Sequence, residues 1–228
     1  MSEWWTYSLR DLLQFSPQTY YRLFELYNLA WWPLHVGALV FGIAVFLLAW
    51  RGGARAGRTM AALLALSWLW IAWAFHSQRY ASINLAAEYF AWAFAAQGLL
   101  LLWLGVLRVH LTPVPAFTIK FRFGLGILFF ALALAPMMGV LLGRSWTQAE
   151  VFGMAPDPTV LATLGALLLA NGRLTYLLYP IPVAWCLISG ATLWAIEAPD
   201  FAMMPVAALL TVGVAVGHAL MRRASRPN

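Results

Sequence analysis

The residues best suited to chemistry in this chain lie in and around HSQRYASINLAAEYFAWAFAAQ, residues 76–97. This stretch holds a histidine, an arginine, an asparagine, a glutamate and a glutamine, although only 10% of the protein is charged. Together with polar residues of the neighbouring helix, these side chains are the candidates for binding a ligand or an ion. The candidates are His35, His76, Glu88, Gln97, Asn84, Glu25 and Arg79.

Two imidazoles and one or two carboxylates suit a divalent transition metal or a proton relay. His35, His76 and Glu88 are the candidate metal ligands. Glu88 is expected in the first turn of a helix, where the helix dipole favours a carboxylate, and Asn84 can cap that helix through its side-chain oxygen. The competing interpretation is structural: His76, Arg79 and Glu88 would form a solvated ion-pair network, and His35 would satisfy a polar contact.

Gln97 lies nine residues after Glu88, which is roughly 14 Å further along a helix. An amide at that depth in a membrane must find a hydrogen-bond partner inside the protein or line a wet cavity. Nine residues make two and a half turns, so Gln97 and Glu88 lie on nearly opposite faces. The sequence therefore predicts polar groups at two depths and not a single polar stripe.

The sequence requires no cofactor. Structural zinc spacing is absent, because the single cysteine, Cys186, lies inside an apolar run. His35 and His76 near one surface, with His110 and His218 near the other, resemble the ligand pairs of membrane cytochromes. Haem fits poorly, because both ligands of a pair must face one cavity within the bundle. A divalent metal stays open. No catalytic residue is assigned, and the pattern leans against an enzyme.

The composition places these residues in a membrane. The 228 residues are 63% hydrophobic with a mean hydropathy of +0.77, and the excess falls in runs of roughly 20 residues with almost no charge. The formal net charge is +6. Cationic loops orient a membrane protein, so the lipid bilayer, and not nucleic acid, is the expected partner. A periplasmic or membrane partner protein and the oligomeric state stay open.

The predicted fold is all-α: a single membrane domain, residues 1–228, forming a bundle of seven transmembrane helices. Residues 1–28 are predicted to form an interfacial amphipathic segment. The predicted spans are residues 29–50, 59–75, 85–107, 123–142, 159–170, 174–196 and 201–221.

The fifth run is short enough to be re-entrant, since twelve to fourteen residues rise only about 20 Å as a helix. Charge decides between the two arrangements. If all seven runs cross and the N-terminus is outside, ten of the fourteen basic residues fall in inner loops, including Arg51, Arg55 and Arg58. The positive-inside rule therefore favours seven crossings, with the N-terminus out and the C-terminus in.

The N-terminal segment carries a helix start at Ser16-Pro17, with serine as the cap and proline in the first turn. Arg22 and Glu25 are three residues apart and can pair on the helix surface. Its aromatic residues are interpreted as a belt at the membrane–water boundary and not as a ligand cage. These residues are Trp4, Trp5, Tyr20, Tyr21, Phe24 and Tyr27.

Two stretches, FSPQTYYRLFELYN with the following WWPLH, and HSQRYASINLAAEYFAWAFAAQ, resemble a bacterial family of small integral membrane proteins of unknown function. The resemblance runs from the N-terminus through the third span and more loosely to the end. It implies a multi-pass protein of the bacterial inner membrane and supplies no activity, cofactor or site residue.

The leading functional hypothesis is a small-solute or ion permease, or an accessory subunit of one, with an outward-facing polar vestibule between spans one to three. Glu88 and His76 would bind or relay a cation or proton, Gln97 would bind the substrate at depth, and His35 would line the opening. One alternative is a sensor or interaction subunit that does not transport. The other is a metal- or haem-dependent membrane enzyme.

Overall fold

The first helix of the structure begins where the sequence predicts it. In this computed structural model, which describes residues 15–108, 112–113 and 118–224, helix α1 spans Pro17–Ala30. The Ser16 hydroxyl accepts the amide hydrogen of Thr19 at 3.2 Å, which caps the helix. Arg22 and Glu25 form the predicted ion pair, with 2.6 Å between Nη1 and Oε1. Trp4, Trp5 and the rest of residues 1–14 lie outside the described residues.

The aromatic face of α1 packs inside the protein, which corrects the belt interpretation for three of its residues. Tyr20, Phe24 and Tyr27 are buried, and the Phe24 and Phe75 rings lie 5.1 Å apart between centroids. The Tyr27 hydroxyl donates to the Met154 carbonyl oxygen at 3.0 Å. Amphipathic spacing could not distinguish a lipid interface from a protein surface, since both favour aromatic side chains.

Beyond α1 the chain forms eight further α-helices among the described residues, three of which are extended by π-helical turns. The bounds are α2 Leu34–Arg51, α3 Ala54–Trp70 with the π-helical turn Ile71–Ser77, α4 Ala87–Leu100 with Leu101–Leu107, α5 Ile119–Phe129 with Phe130–Leu134, α6 Ala135–Leu141, α7 Pro156–Leu168, α8 Pro180–Ala195 and α9 Met203–Ala224.

Six helical segments of the described chain are long and apolar enough to cross a membrane, as expected for a multi-pass membrane protein. They are Leu34–Arg51, Ala54–Ser82, Ala87–Leu107, Ile119–Leu141, Leu174–Ala195 and Met203–Met221. Their outer faces expose large apolar side chains, such as Trp92 and Leu209, and this surface suits lipid acyl chains. The first span begins at Leu34 and not at residue 29, because α1 continues to Ala30 and a turn separates the helices.

The fifth predicted run forms α7, a 13-residue helix that is too short to count among the six. All thirteen of its residues are buried. Its buried hydroxyl groups have hydrogen-bond partners within the protein. Thr163 donates to the Thr159 carbonyl oxygen and accepts from Trp68 Nε1 on α3, both at 2.8 Å. Helix α7 is therefore the central helix of the bundle and is surrounded by protein.

Small residues let α7 approach α5 closely. A Cβ atom added at Gly165 would lie 2.8 Å from the Gly124 carbonyl oxygen and 2.9 Å from the Leu128 amide nitrogen. These neighbours are backbone atoms, which cannot rotate away. Near its C-terminal end α7 also meets the loop before α5, where Pro113 pairs with Ala170 in a two-residue antiparallel ladder.

Replacing Gly165 with alanine is expected to lower the free energy of unfolding by about 1–3 kcal/mol, because the added methyl group forces the two helices apart. Unfolding of the purified protein in detergent measures the change. The matched control is Gly126→Ala on α5, where an added Cβ meets nothing within 4 Å, and we expect no loss there. Equal stability of the two variants would contradict the close approach.

Candidate functional site

The residues singled out from the sequence do not converge on one cavity. His35 binds Asn28, with 3.0 Å between Nε2 and Oδ1, and Asn28 Nδ2 donates to the carbonyl oxygens of Thr147 and Ala149. His35 therefore fastens the start of α2 to α1 and to the loop after α6. This is the structural contact that the competing interpretation expects.

His76 turns away from Glu88. The Glu88 side chain is exposed and accepts from Ser77 Oγ at 3.2 Å, whereas His76 has no exposed surface. Its ring lies 4.4 Å from Phe94 and 5.0 Å from Trp185 between centroids, and neither ring nitrogen has a hydrogen-bond partner among the described residues. An ion-pair network of His76, Arg79 and Glu88 is not formed.

The candidate metal set has no common centre. His35, His76 and Glu88 each contact different neighbours, and within the described ranges no three His, Cys, Asp or Glu side chains group so as to hold a metal ion. His110, named with the haem alternative, lies outside the described residues. The metal and haem interpretations stay predictions without a geometric basis.

Gln97 binds within the protein as the sequence suggests, whereas Asn84 does not cap α4, which begins without a side-chain cap. Gln97 is fully buried and donates through Nε2 to the Leu178 carbonyl oxygen at 3.1 Å, while its Oε1 has no partner among the described residues. Asn84 Oδ1 accepts the Ala86 amide at 2.8 Å, directly before α4. Arg79 lies at the surface turn between α3 and α4, where it lines a groove described below.

His76 gives a stability prediction. Replacing it with phenylalanine is expected to leave the free energy of unfolding unchanged or to raise it by about 1 kcal/mol, because an unpaired imidazole gives way to an apolar ring in an aromatic environment. The matched control is His35→Phe, which loses the hydrogen bond to Asn28 and about 1 kcal/mol. Thermal unfolding followed by tryptophan fluorescence measures both. A clear loss in the His76 variant would show that the imidazole has a polar partner.

A different set of polar residues does converge. Arg144, Glu150, Asp157 and Asp200, here called the carboxylate cluster, meet at one end of the bundle. The Arg144 guanidinium lies 2.7 Å from Asp200 Oδ2 through Nη2 and 3.5 Å from Glu150 Oε1 through Nη1. It also lies over the Tyr21 ring, 4.8 Å from the centroid. The cluster joins α1 to the loops after α6 and after α8.

Local backbone structure aims Arg144 into this cluster. The chain turns after α6, and the Arg144 amide donates to the Gly139 carbonyl oxygen at 2.8 Å. The side chain then lies back across the helix, where a Cβ atom at Gly139 would be 2.8 Å from Arg144 Nε. The absence of a side chain at Gly139 therefore makes room for the guanidinium. Beyond it, Ser145 and Gln148 form a reciprocal capping box that holds the following turn.

Asp157 is held by neutral donors and not by a cation. Trp185 Nε1 donates to its Oδ1 at 2.8 Å and Ser189 Oγ donates to its Oδ2 at 2.6 Å. Both donors belong to α8, while Asp157 lies in the first turn of α7, where the helix dipole favours negative charge. Asp157 is 5% exposed, so a carboxyl group with one donor to each oxygen is enclosed between two helices.

The cluster contains three carboxyl groups and one guanidinium. Burial raises the pKa of Glu150 to about 8, the Asp157 carboxyl adds to this rise, and Arg144 opposes it. Burial lowers the pKa of Arg144, but Glu150, Asp200 and the two tyrosines of α1 together raise it by more, so the guanidinium stays charged. Arg144 pairs most closely with Asp200. Burial raises the pKa of Asp157 as well, so Glu150 and Asp157 together hold the excess proton of the cluster near neutral pH.

Helix α1 covers the cluster. Tyr20 is buried beside it, and the pKa of the Tyr20 hydroxyl is raised first by burial and then by the nearby Glu150 carboxyl. The Glu150 side chain keeps 15% of its surface exposed and Arg144 keeps 14%. The cluster is therefore shielded by α1 yet open to solvent at its edge.

The sequence analysis does not identify any of these four residues as a candidate for a functional site. One available signal was the segment AEVFGMAPDPT, residues 149–159, which sets two of the eight acidic residues directly before an apolar run. Pairing with Arg144 and Asp200 was not detectable, because these two residues are 56 positions apart.

Comparisons with known proteins give the chain a family but no activity. Residues 17–226 match a family of unknown function. No curated protein and no solved structure gives a significant match.

Proposed function

This chain belongs to DUF6064, a family of unknown function, and from its own geometry we propose that it is a proton-coupled permease for a small solute or ion. The carboxylate cluster would be the proton-binding site. The observation that carries the proposal is that three largely buried carboxyl groups lie with only one guanidinium at one end of the bundle. Ionisable groups inside membrane proteins are costly and commonly mark ion or proton pathways.

The arrangement suits proton binding better than purely structural pairing. A structural network would balance its charges, because an uncompensated buried charge costs several kcal/mol. Here Asp157 has only neutral donors, and Glu150 lies at 3.5 Å from a guanidinium that Asp200 holds more closely. Binding one proton at Glu150 relieves the excess negative charge. Its release restores that charge at the junction of α1, α7 and α8.

Proton binding at this place would affect the packing of several helices. Asp157 anchors α7 to α8 through Trp185 and Ser189, and Asp200 connects Arg144 to the turn before α9. A change of charge at Glu150 alters the balance of both contacts. Such coupling between a protonation step and helix packing is what a proton-driven transporter requires.

We extend the proposal to seven crossings, with α7 as the crossing that is enclosed by protein. Asp157, at the start of α7, contacts α8 near the carboxylate cluster, whereas Ala170, just past its end, accepts from Lys120 Nζ at 3.0 Å at the start of α5. Helix α7 thus runs between the two ends of the bundle. Seven crossings would set α1 and the C-terminus on opposite sides, and the basic residues Arg55 and Arg58 at the start of α3 favour an arrangement with α1 outside.

Transport assays in liposomes test the proposal. Purified protein is reconstituted with a pH-sensitive dye inside and a potassium diffusion potential, negative inside, imposed with valinomycin. Pools of amino acids, sugars, organic acids and inorganic cations are added outside. We expect at least one pool to speed internal acidification several-fold relative to protein-free liposomes.

Variants identify the site in the same assay. Glu150→Gln is expected to abolish the solute-dependent acidification, because the amide cannot bind and release the proton. The matched control is Glu88→Gln, which removes an exposed carboxylate outside the cluster and should retain wild-type rates. If only the Glu88 variant lost solute-dependent acidification, the result would favour the vestibule predicted from the sequence over the carboxylate cluster. No effect of any pool on the wild-type protein would reject proton-coupled transport.

A further inference from the structure

A groove separates α1 from the surface turn between α3 and α4, on the side of α1 away from Arg144. It encloses about 380 Å³ and is lined by residues 18, 19, 22, 23, 26, 79, 82 and 83. A second hollow of about 350 Å³ adjoins it and shares Thr19, Ser82 and Ile83. Both volumes fall within the range of about 300–1,000 Å³ that is usual for small-molecule sites.

The charge of the groove is positive. Arg22 lies on the α1 wall and Arg79 on the opposite wall. The Arg79 guanidinium has no hydrogen bond or ion pair among the residues that the structure describes, and Glu25, which pairs with Arg22, does not line the groove. Neutral polar groups of Gln18, Thr19 and Ser82 complete the polar part of the lining.

The remaining lining is apolar and continues onto the outer surface of the bundle. Leu23, Leu26 and Ile83 form this part, and Leu26 is 45% exposed. Close by in sequence, Leu85 in the turn before α4 and Tyr89 in its first turn are more than three-quarters exposed. The groove therefore combines cationic groups with an apolar surface, which are the two chemical features that a phospholipid headgroup and its acyl chains require.

From this combination we propose that the groove between α1 and the 79–83 turn binds a phosphate group, carried either by an anionic phospholipid or by a soluble phosphate ester. Guanidinium groups bind phosphate oxygens through paired, charge-assisted hydrogen bonds, and Arg79 has its donors free for this purpose among the described residues. Hydroxyl groups of Thr19 and Ser82 can bind the remaining oxygens. The site is separate from the carboxylate cluster, and the proposal does not depend on proton-coupled transport.

The test measures binding to the full-length protein in detergent. Phosphatidylglycerol and glycerol 3-phosphate are titrated separately, with phosphatidylethanolamine as the zwitterionic comparison, and binding is followed by native mass spectrometry and by the shift in unfolding temperature. We expect saturable binding of phosphatidylglycerol. Competition by glycerol 3-phosphate would show that the phosphate group suffices, whereas binding of phosphatidylglycerol alone would identify a lipid site; either result supports the proposal.

Substitutions locate the site. Arg79→Gln is expected to weaken binding about tenfold, the loss of roughly one charge-assisted hydrogen bond, and Arg79→Lys to weaken it less. The matched control is Arg55→Gln, which removes an exposed arginine elsewhere in the protein and should bind like the wild type. Because Arg79 has no structural partner in the described chain, the variants should unfold at the wild-type temperature without ligand. No binding of either phosphate compound, or equal affinity of the Arg79→Gln and Arg55→Gln variants, would overturn the proposal.

Discussion

Replacing Arg144 with glutamine is expected to lower the free energy of unfolding by about 3–5 kcal/mol, because it leaves buried carboxylates without their cation. Asp200 loses its partner at 2.7 Å and Glu150 its partner at 3.5 Å. The ring contact with Tyr21 on α1 is lost as well. Reversible unfolding in mixed detergent micelles at neutral pH measures the change.

Two further variants distinguish a charge effect from general damage. Arg22→Gln removes an arginine whose side chain is 58% exposed and forms an ion pair with Glu25. Such an exposed pair contributes less than about 1 kcal/mol to the free energy of unfolding. The double variant Arg144→Gln/Asp200→Asn should recover part of the loss, because the amide replaces the stranded carboxylate. A loss in the Arg144 variant no larger than that of Arg22→Gln would show that the cluster is not held together by its guanidinium.

The second large effect is a fall in stability with rising pH. The pKa of Glu150 is raised from 4.5 to about 8 by burial first and by Asp157 next. Between these values the folded protein holds a proton that the unfolded chain has released. The native state therefore binds more protons, and stability decreases as pH rises through this window, by an amount on the order of a few kcal/mol. Below pH 4.5 this contribution is constant.

The measurement is the unfolding temperature in detergent from pH 5 to pH 9. The wild type should unfold at a lower temperature at pH 8 than at pH 5. Glu150→Gln should flatten most of this slope and unfold later than the wild type at pH 8, while Glu88→Gln should keep the wild-type slope. A flat wild-type curve, or an unchanged slope in the Glu150 variant, would contradict proton retention at Glu150.

Local signals predicted the local structure well. Ser16 and Pro17 start α1, Arg22 pairs with Glu25, and Gln97 finds a partner within the bundle, each as the spacing and chemistry of the residues indicate. The apolar runs correspond to six span-length helices, because burial in hydrocarbon requires a length and a composition that can be read directly from a sequence.

What the sequence could not supply is the direction in which a side chain points within the bundle. His76 and Glu88 flank the same turn between α3 and α4. His76 is enclosed by aromatic rings, whereas Glu88 is exposed. Hydrophobic runs do not show which face of a span meets protein, since lipid and protein interiors are equally apolar. For this reason His35, His76 and Glu88, which the sequence suggested as one vestibule, lie apart in the structure. For the same reason the carboxylate cluster was not predicted.

The enclosure of α7 has a consequence for how the chain enters the bilayer. The 13 residues of α7 include Asp157 and are covered on every side by protein. Inserting this short segment into lipid by itself is therefore unfavourable. The insertion of α7 depends on packing against α5 and α8. Helix α8 is synthesised after α7 and supplies both hydrogen-bond donors to Asp157. We expect α7 to take its place only once α8 has emerged from the ribosome, which makes the centre of the finished protein one of the last parts to be built.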